Sequence, residues 1–420
     1  QRVLAVTFTA RAAGEMRTRL RQLGVVGVQA RTFHAAALRQ LHYFWPQAIG
    51  GAAPEVLPAK AGVVAEAVSR LRMDFDRTAI RDLAGEIEWA KVSMLTPESY
   101  AVAAARARRD PAGIDLTAMS RVFAEYESCK EVRGVIDFED VLLLTLGILA
   151  DRPDIAAQVR AQYRHFVVDE YQDVNALQQR LLELWLGDSE ELCVVGDAAQ
   201  TIYSFTGATP AHLLNFTRAH PAARVVHLVR NYRSTPQIVA LANTVLRSQR
   251  SAGMPGARPG GMPGGSLVEL VAEGPPGTPP RLTAYPDDVA EARGVAAAIR
   301  ALVDAGTAPS RIGVLFRINA QSEAFESALA DAGIAYLVRG GERFFARKEV
   351  RDALVLLRGA ARADDASKPL GEVTRDVLAG AGWTREPPAS AGAVRDRWES
   401  LMALAGLADE LSATLPDARL

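Results

Sequence analysis

Three short apolar runs alternate with helix-like stretches in the first half of the chain. Residues 3–8, 166–170 and 192–197 begin apolar, end in polar or acidic residues, and are each followed by helical periodicity. Such runs are typical of strands buried in a parallel sheet. Ligands of open α/β sheets bind beyond the carboxyl ends of the strands. The pattern therefore predicts an α/β domain whose chemistry clusters at one edge of its sheet.

A different pattern lies between the first and second runs. From about residue 50 to residue 134 the chain is rich in Ala and Arg, is helical in pattern, and contains no strand-like run. We therefore expect a helical insertion in the first α/β domain. Asp137, three residues before Asp140, is expected to cap the returning helix, an interpretation that we prefer to a metal site. The apolar stretch 141–150 is interpreted as a buried helix.

The second half of the chain repeats the α/β pattern. A second α/β segment is predicted from about Val225, with strands at 267–271 and 312–316. Residues 253–280 are dense in Gly and Pro, which predicts a flexible surface loop. After about residue 364 the pattern is helical, with a break at Pro387 and Pro388, and we interpret it as the start of another domain.

Composition excludes several protein classes. Hydrophobic residues make up 49% of the 420 residues, and no apolar run approaches the roughly 18 residues of a membrane span. Cys129 and Cys193 lie far apart without metal-ligand spacing, so we expect no disulfide framework or zinc site and a reducing, cytoplasmic setting. The net charge is −1, so nucleic-acid binding would require a local surface.

The sequence FVVDEYQD at residues 166–173 brings two carboxylates to the end of a predicted strand. In nucleotide hydrolysis, one carboxylate can hold Mg²⁺ while another orients or deprotonates the attacking water. A lone Asp-Glu pair is usually a solvated turn, but eight residues in this order are far more specific. Asp169 and Glu170 are therefore candidate catalytic residues.

A second predicted strand continues into a polar loop with the sequence VVGDAAQTIYSFTGA at residues 194–208. Its Gln200 offers an amide that can sense a phosphate. Its Tyr203 and Phe205 offer rings on which bases can stack. One short loop can therefore join phosphate sensing to base stacking.

These segments occur in the order found in one helicase family. Residues 166–173 and 194–208 resemble motifs II and III of the UvrD/PcrA/Rep-type superfamily 1 DNA helicases. Further resemblances link 6–16 to motif Ia, 31–34 to motif Ib, 230–235 to motif IV, and 314–322 and 340–350 to later signatures of the second motor domain. The resemblance covers about residues 1–360.

The resemblance implies P-loop NTPase, RecA-like motor domains, in which parallel sheets are flanked by helices, with helical insertions. It implies domain 1A at residues 1–52 and 135–224, and domain 1B at 53–134. The start of domain 2A would span 225–364, and the beginning of 2B would span 365–420. It also implies ATP and Mg²⁺ as cofactors, and single-stranded DNA and its junctions with duplex as substrates. No membrane partner is expected, and no repair-protein partner is identified.

Residue roles follow from the same resemblance. Asp169 is similar to the Mg²⁺ ligand and Glu170 to the general base, while Gln200 would sense the γ-phosphate. Arg233 would reach that phosphate as an arginine finger, and Tyr232 would stack on the adenine. The resemblance places six residues along single-stranded DNA: Phe8, Thr9, Thr32, His34, Tyr203 and Phe205. Taken singly, several of these have simpler interpretations: Phe8 and Phe205 as core aromatics, His34 as a satisfied helix-start residue, and Arg233 as a surface ion-pair partner.

Two departures from the family pattern are visible. Thr206 stands where motif III usually has Arg, and Ala10-Arg11 stands where motif Ia usually has Asn-Lys. These departures predict that one DNA or coupling contact is weakened. The form TIYSFTGA resembles the divergent second UvrD paralogue of actinobacteria.

No phosphate-binding loop is found, because none of the five lysines is followed by Ser or Thr. We expect that loop upstream of residue 1, and the last two motor motifs beyond residue 420. Residues 1–420 alone are therefore expected to lack ATPase activity. The leading hypothesis is an ATP-dependent DNA helicase moving 3′ to 5′ in repair or replication. The alternatives are a non-catalytic single-stranded-DNA-binding relative and the motor subunit of a recombination helicase-nuclease.

Overall fold

The computed structural model describes residues 2–25, 27–111, 113–251, 268–317, 321–338, 348–361, 368–380, 382–386 and 393–414. The chain divides into two compact units, residues 1–280 and 281–420. Within the described ranges, no helix is both long enough and apolar enough to cross a membrane.

The first unit is built on a four-stranded parallel sheet with the strand order β2-β1-β5-β6. Its strands are β1 (Val3–Thr7), β2 (Gln29–Thr32), β5 (His165–Val168) and β6 (Leu192–Val194). The three predicted strands are confirmed, although each ends before its predicted polar end. The second one stops at Val168, because the backbone of Glu170 turns into the left-handed region at φ 52°. The α/β architecture with parallel strands is confirmed.

Helices cover this sheet and bury its apolar residues. They are α1 (Ala10–Gln22), α2 (Phe33–Ala48), α7 (Phe138–Asp151), α8 (Pro153–Gln162) and α9 (Ala176–Leu186). The buried Trp185 ring stacks at 5.9 Å from the Phe33 ring and 6.4 Å from the Phe166 ring, centroid to centroid. Its indole N–H donates to the Gln40 side chain at 2.8 Å, so the polar edge of the ring is also satisfied. The core thus fixes the sheet on which the candidate residues stand.

The helical insertion forms a core of its own. It contains α3 (Ala61–Arg70), α4 (Arg77–Val92), α5 (Pro97–Arg106) and α6 (Leu116–Arg133). Buried residues from these helices include Val64, Leu83, Tyr100 and Tyr126. The expectation of no strand here is wrong, because β3 (Glu55–Val56) pairs in parallel with β4 (Val135–Ile136). The two-residue ladder joins the points where the chain enters and leaves the insertion, and so few residues give no periodicity to detect.

The helix that returns from the insertion begins as predicted. The Asp137 carboxylate accepts a hydrogen bond from the Asp140 backbone N–H at 2.9 Å, and the Asp140 carboxylate accepts from the Asp137 N–H at 2.9 Å. This reciprocal capping box satisfies two N–H groups at the start of α7. The predicted burial of α7 is also confirmed, since Val141, Leu142 and Ile148 are buried.

The rest of the first unit has little sheet structure in the residues that the structure describes. It contains α10 (Ala211–Leu214), α11 (Phe216–Ala219), β7 (Arg230–Asn231), α12 (Pro236–Ser251) and β8 (Val271–Ala272). The strand predicted at 267–271 is mostly wrong, since 268–270 are irregular and only Val271 belongs to a strand. Strand β8 pairs only with Arg230 and Asn231 of β7, so Val271 alone of the predicted strand has a pairing partner among the described residues. Residues 253–267 of the predicted loop lie outside the described ranges.

The second unit is helical in its described part. Its helices are α13 (Asp288–Asp304), α14 (Ser322–Asp331), α15 (Lys348–Ala360), α16 (Leu370–Gly380) and α17 (Ala393–Thr414). The strand predicted at 312–316 is wrong, because no described strand pairs with it and Leu315 is exposed. The helical pattern predicted after residue 364 is confirmed for α16 and α17, whereas the break at Pro387 and Pro388 falls outside the described residues.

Candidate nucleotide and DNA site

Two candidate DNA residues are the threonines that start helices at the edge of the sheet. The Thr9 hydroxyl accepts from the Ala12 N–H at 3.1 Å at the start of α1. The Thr32 hydroxyl accepts from the Ala35 N–H at 3.1 Å at the start of α2. The strands before them are neighbours, since Thr7 pairs with Thr32 in the β1–β2 register. The N-termini of two helices, of 13 and 16 residues, therefore lie side by side. This arrangement favours the binding of anions such as DNA phosphates.

The two carboxylates stand at the end of β5. The Asp169 N–H donates to the Val6 carbonyl at 2.9 Å, which continues the ladder one residue beyond β5. Glu170 is exposed and has φ 52° and ψ 43°, a conformation that costs a non-glycine residue about 1–2 kcal/mol. Burial, and secondarily the neighbouring Glu170, raise the pKa of Asp169 above its ordinary value. The turn thus holds one half-buried and one exposed carboxylate next to each other.

A buried hydroxyl beside Asp169 allows the fit of a divalent cation to be tested. The Thr7 hydroxyl is buried and has no hydrogen-bond partner in the described part of the protein. It nevertheless lies close enough to Asp169 to lower the pKa of that carboxyl. A carboxylate and a hydroxyl without a partner are oxygen ligands of the kind that suit hydrated Mg²⁺. The residues present therefore fit the expected metal.

Gln172 is a functional candidate that the sequence analysis missed. This fully buried residue donates from its amide nitrogen to the Glu170 carboxylate at 2.7 Å. Its amide oxygen accepts from the Asp197 backbone N–H at 3.0 Å. One side chain therefore joins the turn after β5 to the loop after β6. The signal in the sequence was a buried-type position occupied by an amide, directly behind two carboxylates.

The loop after β6 is held by further carboxylate contacts. The exposed Gln200 donates from its side-chain amide to Asp197 at 2.9 Å, and Asp197 also accepts from the Ala199 N–H at 2.9 Å. Farther along, the Ile202 N–H donates to the buried Asp173 at 3.3 Å. The structure thus links Glu170 to Gln200 through Gln172 and Asp197.

Three of the predicted DNA-binding aromatics come together. The Phe8 and Tyr203 rings lie 4.5 Å apart, and the Tyr203 and Phe205 rings 6.2 Å apart, between centroids. Phe205 is 62% exposed, which rules out its alternative interpretation as a core aromatic, while Phe8 and Tyr203 are half-buried. A partly exposed group of tilted rings is a surface on which unpaired bases can stack.

His34 lies beside a second residue that the sequence analysis missed. Its ring is 5.0 Å from the ring of Phe138, which is 53% exposed at the first position of α7. Burial and the Lys60 charge lower the pKa of His34 to about 4, so the ring is neutral near pH 7. The His34 Nε2 atom is buried without a partner among the described residues, which contradicts the interpretation as a satisfied histidine. In the sequence, the signal for Phe138 was its position immediately after the predicted helix cap Asp137.

Tyr232 and Arg233 remain apart from these groups. Both are exposed after β7, where the Asn231 side chain accepts from the Arg233 N–H at 3.1 Å. Within the described residues, no ion pair engages the Arg233 guanidinium, and no hydrogen bond, ion pair or ring contact joins either residue to Asp169, Glu170 or Gln200. The alternative interpretation of Arg233 as an ion-pair partner is therefore not supported.

Comparison with known protein families gives two matches along the chain. The family model of the UvrD/REP helicase N-terminal domain matches residues 1–221. The model of the UvrD-like helicase C-terminal domain matches residues 226–379. Together these matches cover most of the chain.

Curated relatives support the same family. The chain is 50% identical to ATP-dependent DNA helicase UvrD2 of Mycobacterium tuberculosis, over 99% of this chain and 59% of the relative. It is 35% identical to UvrD1 of the same organism, over 85% and 46% respectively. It is 30% identical to DNA helicase II of Escherichia coli, over 90% and 51%. The chain thus spans roughly half of each relative's length.

The higher identity to UvrD2 than to UvrD1 agrees with the expected second paralogue. The ordered motifs, the parallel sheet and the family matches all lead to the same conclusion: the chain belongs to the UvrD/Rep family of helicases.

Proposed function

We propose that this chain forms part of an ATP-dependent DNA helicase that moves 3′ to 5′ on single-stranded DNA during repair or replication. The observation that carries the proposal is the side chain of Gln172, which contacts both the Glu170 carboxylate and the loop that carries Gln200, Tyr203 and Phe205. One side chain therefore connects the turn that carries groups suited to nucleotide hydrolysis with the loop that carries groups suited to base stacking.

On the nucleotide side, the two carboxylates have separate tasks. Mg²⁺, when bound, would neutralise phosphate charge and polarise the phosphoryl group. Asp169 would hold it, with the Thr7 hydroxyl within reach. Glu170 would accept the proton of the attacking water, and Gln172 would fix the orientation of that carboxylate through its 2.7 Å hydrogen bond.

Gln200 and Arg233 would respond to the state of the nucleotide. The Gln200 amide is exposed and bonded only to Asp197 in the described structure, so it can exchange that bond for one to a phosphate oxygen. Arg233 would supply a positive charge to the γ-phosphate and Tyr232 a flat ring to the adenine. Both side chains are exposed, so neither has to break a buried contact to do so.

On the DNA side, Phe8, Tyr203 and Phe205 would stack on bases, and Phe138 would extend that surface beside His34. Stacking contributes about 1–3 kcal/mol per base without sequence preference. Thr9 and Thr32 would place helix N-termini near the phosphates. This aromatic surface also suits a non-catalytic DNA-binding protein, but such a protein has no chemical use for the linked Asp169, Glu170 and Gln200.

A strand-displacement assay with the complete protein tests the proposal. Duplexes carrying either a 3′ or a 5′ single-stranded tail are incubated with ATP and Mg²⁺, and release of the short strand is followed by fluorescence. We expect release from the 3′-tailed duplex and little from the 5′-tailed one. Release only from the 5′-tailed duplex would contradict the polarity. DNA binding without ATP-dependent release from either duplex would favour the non-catalytic alternative.

A further inference from the structure

Three of the five lysines meet where the helical insertion joins the sheet domain. The chain has 48 Lys and Arg residues, and lysine occurs only at positions 60, 91, 130, 348 and 368. Lys91 and Lys130 are buried, and Lys60 lies nearby with a side chain only 14% exposed. Because arginine is used almost everywhere else, these positions require a property that distinguishes an ammonium from a guanidinium.

That property is the ability of a compact ammonium to bridge carboxylates that lie close together. Lys91 and Lys130 do so within a set of side chains that we call the root cluster: Lys91, Lys130, Tyr126, Glu127, Asp137 and Asp140. Lys91 Nζ lies 2.7 Å from an Asp137 oxygen and 2.5 Å from an Asp140 oxygen. Lys130 pairs with the same two carboxylates, and Tyr126 donates its hydroxyl proton to Asp137 at 2.8 Å. A compact ammonium with three donors can bridge carboxylates this closely, whereas a planar guanidinium needs more space.

The charged groups of the root cluster pair with one another. Glu127, Asp137 and Asp140 present oxygens close enough together to ligate a cation, but the two ammonium groups already occupy the space among them. Lys91 and Lys130 hold the pKa of Asp137 well below its usual range against the effect of burial, and the carboxylates raise the pKa of Lys91. Asp137 and Lys91 are therefore both charged at neutral pH, and loss of the Lys91 ammonium would leave a buried carboxylate without its partner.

The root cluster holds the first turn of α7, which carries part of the proposed DNA surface. Asp137 and Asp140 flank Phe138, whose ring contacts His34. Between them Glu139 pairs with Lys60 at the start of the insertion. Salt bridges thus fix α7 on both sides of the exposed Phe138 ring.

The same cluster holds α4, and α4 contacts the other part of the proposed DNA surface. Lys91 lies in the last turn of α4, between Trp89 and Val92. A methyl group on Gly207 would lie 2.7 Å from Val92 Cγ2 and 3.8 Å from Trp89 Cδ1, so these side chains pack against the loop after Phe205. Helix α4 therefore lies between the root cluster and the aromatic loop.

We propose that the root cluster is a positioning device, with Lys91 as its central positioning residue. It holds α4 and the first turn of α7 so that Phe138 and the Tyr203–Phe205 loop face the same DNA strand. The proposal rests on the proposed function, because it assumes that these aromatics bind single-stranded DNA. Lys91 itself touches neither DNA nor nucleotide.

The test compares variants of the complete protein by two measurements. The first is the dissociation constant for a fluorescein-labelled oligo-dT, by anisotropy. The second is ATP hydrolysis, resolved into the KM for ATP and the DNA concentration that gives half-maximal stimulation. Lys91→Met is expected to weaken oligo-dT binding about tenfold while the KM for ATP stays within about twofold. The double variant Lys91→Met/Asp140→Asn, which restores the charge balance, should recover most of the affinity.

Two further variants keep the test decisive. Tyr126→Phe removes one hydrogen bond and leaves the ring in place, so it serves if Lys91→Met does not fold, and about threefold weaker DNA binding is expected. Lys368→Met alters an exposed lysine paired with Asp376 in the second unit and should leave both measurements unchanged.

The outcomes separate this proposal from the proposed function. Wild-type protein without DNA-stimulated hydrolysis would overturn the function itself. If the wild type is stimulated but folded Lys91→Met and Tyr126→Phe both bind oligo-dT normally, the positioning proposal is wrong. Equal weakening of ATP and DNA binding would also overturn it, because that is the result of general destabilisation.

Discussion

Gly207 offers a sharp test of the contact between the aromatic loop and the helical insertion. It follows Phe205 and Thr206, and its φ of 90° lies in a region that residues with a Cβ rarely adopt. A Cβ at this position would also lie 2.7 Å from Val92 Cγ2, closer than real Cβ contacts allow. Gly207→Ala therefore forces the loop away from α4.

The expected magnitude follows from these two effects. The left-handed backbone costs a residue with a Cβ about 1–2 kcal/mol. The steric overlap with Val92 adds about 1–3 kcal/mol, as is usual when a methyl group enters a packed contact. Gly85→Ala is the matched control, because Gly85 is exposed on α4 with nothing within 4 Å of a new Cβ. It should stabilise α4 by about 0.5–1 kcal/mol.

Amide hydrogen exchange, followed by mass spectrometry, measures the stability of α4 and of the aromatic loop separately from the rest of the chain. A local measurement suits a chain with more than one domain. Gly207→Ala should speed exchange in α4 and in residues 204–208, and it should weaken oligo-dT binding because Tyr203 and Phe205 move with the loop. Gly85→Ala should slow exchange in α4 and leave DNA binding unchanged. Protection of α4 in Gly207→Ala equal to wild type would refute the packing that we describe.

Further predictions concern the Tyr203 and Phe205 rings, the shifted pKa values of His34 and Glu139, and the backbone of Arg108. Tyr203→Ala and Phe205→Ala should each weaken oligo-dT binding by about 1–3 kcal/mol without sequence preference, and wild-type affinity in a fluorescence titration would mean that the rings do not stack on bases. His34, with its pKa lowered to about 4, should make the protein less stable as pH falls from 6.5 towards 4, because the unfolded chain takes up a proton first. Burial raises the pKa of Glu139 to about 7 despite its pairing with Lys60, so Glu139 acts oppositely: its contribution to stability is present below pH 4.5 and is lost as pH rises to 7. The unfolding midpoint, measured as a function of pH across this range, should lose the His34 contribution in His34→Gln and the Glu139 contribution in Glu139→Gln. A pH dependence equal to that of the wild type in either variant would contradict that assignment. Arg108→Gly should stabilise the insertion by about 1 kcal/mol, because Arg108 has φ 53° after α5, and a lower denaturation midpoint would count against this.

The sequence predicts the elements whose signals are local. The strands before Asp169 and Asp197 and the cap at Asp137 each depend on a few adjacent residues. The strand predicted at 312–316 failed because strand formation requires a neighbour, which an apolar run alone does not reveal.

Contacts between distant segments account for what the sequence could not predict. Gln172 meets Asp197 only after β5 and β6 pair, and Lys91 meets Asp137 only after the insertion has folded back. Phe138 is beside His34 because α2 and α7 pack together. A single sequence shows which side chains have suitable chemistry, but it does not show which of them meet.

Glu170→Gln in the complete protein tests the central claim most directly. The change removes the proposed base and leaves Asp169 to hold Mg²⁺, so nucleotide binding should persist. DNA-stimulated ATP hydrolysis, measured by phosphate release with saturating oligo-dT, should fall by about 10²–10⁴-fold. Hydrolysis close to the wild-type rate in this variant would contradict the assignment of the carboxylates after β5 as the centre of ATP hydrolysis.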